Sequence, residues 1–159
     1  MNLERRCVSD VDTREAGVVF ASVLRPGDIV LLSGTLGAGK TTFVQGVAEG
    51  LGVRERVTSP TFTVVREHAC HNDAGITTLH HCDVYRVRTL DEVLDLALGE
   101  LVEEDGVALV EWGELAAPVF GRDVVRVDFA VDDDETRTLT VGGALAPERL
   151  EALSAWSKS

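Results

Sequence analysis

Apolar positions along the chain follow two periods, one near three and a half residues and one of two, and their alternation lays out the elements. "TREAGVVFASVL", residues 13–24, spaces apolar side chains three and four apart, which predicts a first helix with Thr13 as its candidate cap. The turn "RPGD" leads into "IVLLSG", a run of Ile, Val and Leu that predicts a short buried strand. "KTTFVQGVAEGLG" returns to helical spacing and is predicted to stop near Gly50 to Gly52. "RERVTSPTFTVVREH" reads as a loop about Ser59 and Pro60 followed by a strand-like segment. "DAGITTLHHCDVYRV" reads as another strand, with its turn at residues 72–75.

"TLDEVLDLALGELVEE" is a predicted helix, with Leu90, Val93, Leu94 and Leu98 at helical spacing and Thr89 or Asp91 to cap it. "GVALVEW", residues 106–112, is a third strand, nearly continuous in apolar residues until Glu111. The last third changes to strict alternation. Val125, Val127 and Phe129, then Leu139 and Val141, predict a two-stranded hairpin joined by the acidic residues 132–135. "APERLEALSAW" is a short closing helix begun by Pro147, with Trp156 as an apolar anchor. No linker or repeat interrupts the series. The expected architecture is therefore one α/β domain over residues 1–159: a central mixed, mostly parallel sheet flanked by helices, with a late antiparallel hairpin.

Composition narrows the function classes. The 159 residues suffice for one compact domain with a real core. The 27 acidic against 15 basic side chains, a net charge of -12, argue against independent binding to DNA or RNA, although a small cationic patch or a basic partner stays compatible with indirect contact. The start is charged throughout and the longest apolar runs are strand-sized, so neither a signal peptide nor a membrane span is expected. Three cysteines, odd in number and without a CxxC pair, fit a reducing cytoplasmic interior.

The candidate chemistry begins at the first strand–helix junction. Gly34-Thr35-Leu36-Gly37-Ala38-Gly39-Lys40-Thr41 matches G-x-x-x-x-G-K-[ST] in full. Glycines there let the backbone crowd a ligand, and turn amides with the helix N-terminus converge on phosphate oxygens. Lys40 then reaches the β and γ phosphates and Thr41 is placed to ligate Mg²⁺. The competing reading is a glycine-rich turn with an exposed lysine, which the strand–turn–helix setting disfavours.

Hydrolysis needs further groups. Glu111, at the tip of a buried strand, suits a metal-shell or water-orienting role; the alternative is a solvated strand end. Asp83 shares a β face with Leu79, His81 and Tyr85, and belongs either to a site or to a salt bridge with Arg86. "SPTF", residues 59–62, has the composition of a loop sensing a γ phosphate, or of a plain turn entering a strand. His68, Cys70, His71, His80, His81 and Cys82 suggest zinc, but adjacent strand residues point apart and no zinc spacing is present; solvated loop histidines and a buried Cys82 account for them better. The "VDDDE" run lacks the frame of a Ca²⁺ loop and reads as a solvated connection.

"LLSGTLGAGKTTFVQG", "VTSPTFTVV", "HCDVYR" and "LVEW" in that order, with "LGEL" in the middle helix, make residues 10–143 resemble the bacterial TsaE family, older name YjeE. The resemblance implies a small P-loop NTPase fold that binds ATP with Mg²⁺. It also implies a role beside TsaB and TsaD, which transfer a threonylcarbamoyl group to N6 of adenosine 37 in tRNA. By the same resemblance the chain is expected to be an ATPase that resets that machinery, weak alone and stimulated by its partners, touching tRNA only indirectly and no membrane. By the same resemblance Thr41 and Glu111 ligate magnesium, and Lys40, Asp83 and Glu111 form the catalytic set. Residues Gly34, Thr35, Leu36, Gly37, Ala38, Gly39, Lys40, Thr41 and Thr42 cradle ATP, joined by Thr61 of the switch-like loop and by Arg137. Trp112 neighbours the metal-binding acid, and residues 10–13 approach the adenine. Two departures stand out: Thr35 where the family has aspartate, and Gly113 where it has proline. Because backbone amides carry most phosphate binding, function is expected to survive both.

Two other classes share the phosphate cradle. A small-molecule kinase needs an arginine-rich lid, and only Arg86 and Arg88 cluster. A regulatory switch would act through binding rather than turnover. No N-K-x-D sequence for reading guanine occurs.

Overall fold

The computed structural model describes residues 3–35, 38–57, 65–83, 105–111, 124–143, 145, 147–153 and 156. Its elements, in chain order, are β1 (Leu3–Cys7), α1 (Asp10–Ala21), β2 (Ile29–Ser33), α2 (Lys40–Gly50), β3 (Val65–Ala69), β4 (Thr78–Asp83), β5 (Gly106–Glu111), β6 (Val125–Val131), β7 (Arg137–Gly143) and α3 (Pro147–Ala152). The strands form one seven-stranded sheet in the order β1-β7-β6-β2-β5-β4-β3. The central pairs β6/β2, β2/β5 and β5/β4 are parallel, and the flanking pairs β1/β7, β7/β6 and β4/β3 are antiparallel. This is the mixed α/β sheet with a late antiparallel hairpin that the residue pattern predicts.

Burial follows position in that order. β5 lies between two parallel neighbours and is buried at every residue, whereas β6 alternates buried and exposed as the hairpin pattern requires. On one face Val30, Leu32, Leu109, Val127 and Leu139 join the core beneath α1 and α2. Phe20 of α1, Phe43 of α2 and Phe129 of β6 meet there in sequence, the first pair tilted and the second edge-to-face, with centroids 5.4 and 5.5 Å apart. α1 and α2 touch at backbone distance: a Cβ on Gly46 would lie 1.9 Å from the Arg14 carbonyl oxygen, so only hydrogen fits. α3 is tied down by Arg149, which donates to both Asp28 carboxylate oxygens at 2.5 and 3.2 Å and to the Val23 carbonyl at 3.0 Å. No helix among the described residues is long and apolar enough to cross a membrane.

Several expectations need correction. β1 was not visible as a strand because the charged Arg5 stands between Leu3 and Cys7 on its inward face. Arg5 is buried with its guanidinium 5.9 Å from the Trp156 ring centroid, and Trp156 donates its indole N–H to the Ala16 carbonyl at 3.0 Å. α1 starts three residues before the expected cap. Ser9 is the cap, its hydroxyl accepting from the Asp12 amide at 3.3 Å, and Thr13 is buried in the first turn. His68, His80 and His81 are buried strand residues, not solvated loop histidines; both faces of β4 are covered, so the doublet turns one ring into each side. Cys82 is buried as expected.

The acidic connection is an exposed turn, as expected. Asp133 accepts from the Thr136 and Glu135 amides at 2.8 and 3.0 Å, and these donors hold its carboxyl below the usual carboxylate range. The predicted middle helix at residues 89–104 and the Ser59-Pro60 loop lie outside the described residues.

Candidate functional site

The site is built where β2 hands the chain to α2. At Gly34 φ is 151°, and a Cβ there would lie 2.8 Å from the Phe129 carbonyl oxygen, so the turn leaves β2 pressed against β6. Gly39, at φ 96°, is the N-cap of α2 in a left-handed conformation and brings the chain into the helix at Lys40. Lys40 is only 4% exposed, which excludes the exposed-lysine reading. Its ammonium donates to the Gly34 carbonyl at 2.6 Å. Thr35 is exposed at its side chain and contributes its carbonyl to the Ala38 amide at 3.1 Å. Thr13 packs against the loop, its methyl 3.4 Å from where a Gly39 Cβ would be. Leu36 and Gly37 lie outside the described residues, as do Thr61, Arg86, Trp112 and Gly113.

The acidic component comes from the adjacent strand. Parallel pairing aligns Leu32 of β2 with Glu111 of β5, and Glu111 in turn with Asp83 of β4, so both acids lie at the same edge as the loop. Glu111 is 4% exposed, against the solvated-end alternative. The Thr41 hydroxyl, in the first turn of α2, lies 3.0 and 3.1 Å from the two Glu111 carboxylate oxygens. His81, two residues before Asp83 and on the same face, brings Nε2 to 2.5 Å from Glu111 Oε2. Thr42 follows in the helix, half-buried. A hydroxyl and a carboxylate converging beside a helix N-terminus are the oxygen donors that suit a hard divalent cation, and Lys40 with the loop backbone suits an anion.

Arg137 stands at the same edge of the sheet but two strands from β2. Its guanidinium donates to the Asp133, Thr136 and Asp134 carbonyls at 2.8, 3.1 and 3.3 Å, folding over its own hairpin turn. A separate cavity of about 520 Å³ lies along the far part of α2, lined by Arg14, Gln45, Glu49, Arg54 and Arg56 among others, and shares no residue with the Thr41–Glu111–His81 cluster. Thus Lys40, Thr41, Asp83 and Glu111 are gathered as the sequence pattern suggests. His81 was the residue missed: its shared face with Asp83 was readable, but its reach to Glu111 depends on the β4/β5 register.

Comparison with known proteins identifies the family. The family described as "Threonylcarbamoyl adenosine biosynthesis protein TsaE" matches residues 7–139. A tRNA threonylcarbamoyladenosine biosynthesis protein TsaE from Treponema pallidum is 41% identical over 138 residues, covering 86% of this chain and 98% of the relative. The TsaE protein of Streptomyces coelicolor is 48% identical over 135 residues, covering 82% and 89%. The crystal structure of Bacillus subtilis YdiB superposes with a TM-score of 0.75 at 32% identity, covering 99% of this chain and 95% of that one. With a seven-stranded P-loop-type α/β sheet, the Gly34–Thr41 motif and this similarity along most of its length, the chain belongs to the TsaE family.

Proposed function

We propose that this protein is the Mg²⁺-dependent ATP-binding and ATP-hydrolysing subunit that supports threonylcarbamoyl transfer to adenosine 37 of tRNA by a partner complex of the TsaB and TsaD kind. The observation that carries the reading is the convergence of Thr41 and Glu111 at 3.0 Å, beside the buried Lys40 and the glycine turn. Membership of the TsaE family supplies the pathway.

In this reading the loop amides and the α2 N-terminus bind the phosphates, and Lys40 carries a positive charge to the terminal ones. Thr41 and Glu111 hold magnesium, which when bound neutralises charge on the β and γ phosphates. Asp83, aligned with Glu111 at the strand edge, orients the attacking water. Thr35 takes part through its backbone, so a side chain that differs from the family's aspartate leaves phosphate binding in place. Contact with tRNA is indirect, through TsaB and TsaD, in keeping with a net charge of -12 that disfavours direct binding to a phosphate backbone.

The test is ATP turnover by the chain alone and with the partner complex, with wild type, Lys40→Ala and Glu111→Ala. Wild type is expected to be slow alone and faster with partners. Glu111→Ala should lose roughly 10²-fold in Mg²⁺-dependent turnover, the scale of removing one group that stabilises developing charge, while still binding nucleotide. Lys40→Ala should lose both. Undiminished turnover in Glu111→Ala would remove the acid from its assigned role.

A further inference from the structure

We propose that His81 is a positioning residue that fixes the Glu111 carboxylate for its cation, an inference that rests on the magnesium site of the preceding reading. The argument starts from counting donors. Glu111, as a carboxylate, only accepts, and the single O–H of Thr41 lies within reach of both of its oxygens, at 3.0 and 3.1 Å. One proton cannot serve both. His81 resolves the choice by donating its Nε2–H to Oε2 at 2.5 Å, which leaves the Thr41 proton to Oε1. Each carboxylate oxygen then has its own donor, one from α2 and one from β4, and the side chain's rotation is arrested at both ends.

The imidazole is itself held rigidly. His81 is 0% exposed on a strand that pairs in parallel with β5, and its backbone aligns with Leu109, so the ring reaches forward by one pleat to Glu111. Among the described residues its Nδ1 has no hydrogen-bond partner. That pattern matches an imidazole protonated on Nε2, which spends its only N–H on Glu111 and leaves Nδ1 as a lone pair rather than a buried unpaired N–H. His81 therefore acts on the cation through Glu111 and not as a ligand. Partners that orient a metal ligand in this way commonly set metal affinity by 10- to 100-fold.

The experiment measures Mn²⁺ binding to the full-length protein by electron paramagnetic resonance in the presence of ADP, alongside ADP binding in EDTA. His81→Leu keeps the buried volume and removes the donor; His81→Gln keeps an amide N–H at a similar reach; His81→Asn carries the same amide too short to arrive. The expected result is a Mn²⁺ affinity about 10- to 100-fold weaker in His81→Leu and His81→Asn. His81→Gln should stay within a few-fold of wild type, and metal-free ADP binding should be alike in all four. Wild-type affinity in both His81→Leu and His81→Asn would overturn the proposal, as would equal losses in the Gln and Asn variants. If His81→Leu does not fold, the Gln and Asn pair decides alone. Failure of the wild-type protein to hold Mn²⁺ with ADP would instead overturn the magnesium site itself.

Discussion

Each of the three thiols sits where water does not solvate a thiolate. Burial pushes Cys82 up to about 12 and Cys70 up to about 11, and it raises Cys7 as well. The thiolate is the reactive form, so at pH 8 only about one Cys70 in a thousand is ionised, and Cys82 fewer still. Wild-type protein treated with a colorimetric disulfide reagent at pH 8 should release almost nothing in its fast phase, then three equivalents once denatured, matching its three cysteines. A rapid native equivalent would show one of these side chains to be accessible. The same shifts have a sign for stability. The folded state keeps its thiol protons above the ordinary value of 9.0 while the unfolded chain loses them, so this contribution is present below pH 9 and declines as pH rises towards the folded values. At this scale the sequence pointed directly to Lys40, Thr41 and Glu111, because one short motif and one strand tip contain them. His81 escaped because the contact is made across thirty residues of chain, through a register that no local period encodes.

Among the elements, the α1–α2 contact decides how firmly the glycine turn before α2 is mounted. Gly46 meets the Arg14 carbonyl, while Phe43 of α2 packs against Phe20 of α1. A glycine inside a helix costs about 1 kcal/mol relative to alanine, so its presence here reflects packing and not helix preference. Gly46→Val must force the two backbones apart, and overpacking of this kind costs about 1–3 kcal/mol. In a chain of this length the expected fall in the thermal midpoint is roughly 2–12 °C by scanning calorimetry. An unchanged midpoint would mean that the helices separate freely. The same displacement would reach the site, since Thr13 of α1 abuts Gly39. Elements with a clear apolar period were legible from sequence: β2, α2, β5 and the β6–β7 hairpin. β1 was not, because this short edge strand turns only Leu3, Arg5 and Cys7 inward and its middle inward residue is an arginine at Trp156. The start of α1 was read late because the true cap, Ser9, precedes the first apolar repeat.

For the molecule as a whole, strand order is what brings dispersed residues to one edge of the sheet. β2 lies between β6 and β5, and β5 between β2 and β4, so the C-terminal ends of four parallel strands open on the same edge. Residues 34, 41, 83 and 111 meet there although long stretches of chain separate them, and that order cannot be read from periodicity. Because Lys40 is already held at the Gly34 carbonyl, a polyphosphate anion at the start of α2 would meet an ammonium in place. Binding of that kind raises stability by mass action, about 2.7 kcal/mol at a hundredfold excess over Kd. Mg²⁺ with ADP at that excess should therefore lift the thermal midpoint by roughly 5–11 °C. Lys40→Ala should abolish most of the rise. Thr35→Asp should keep it, since the exposed Thr35 side chain leaves the loop contacts to its carbonyl. A midpoint that ignores saturating Mg²⁺ and ADP in the wild type would mean that this edge of the sheet holds no nucleotide.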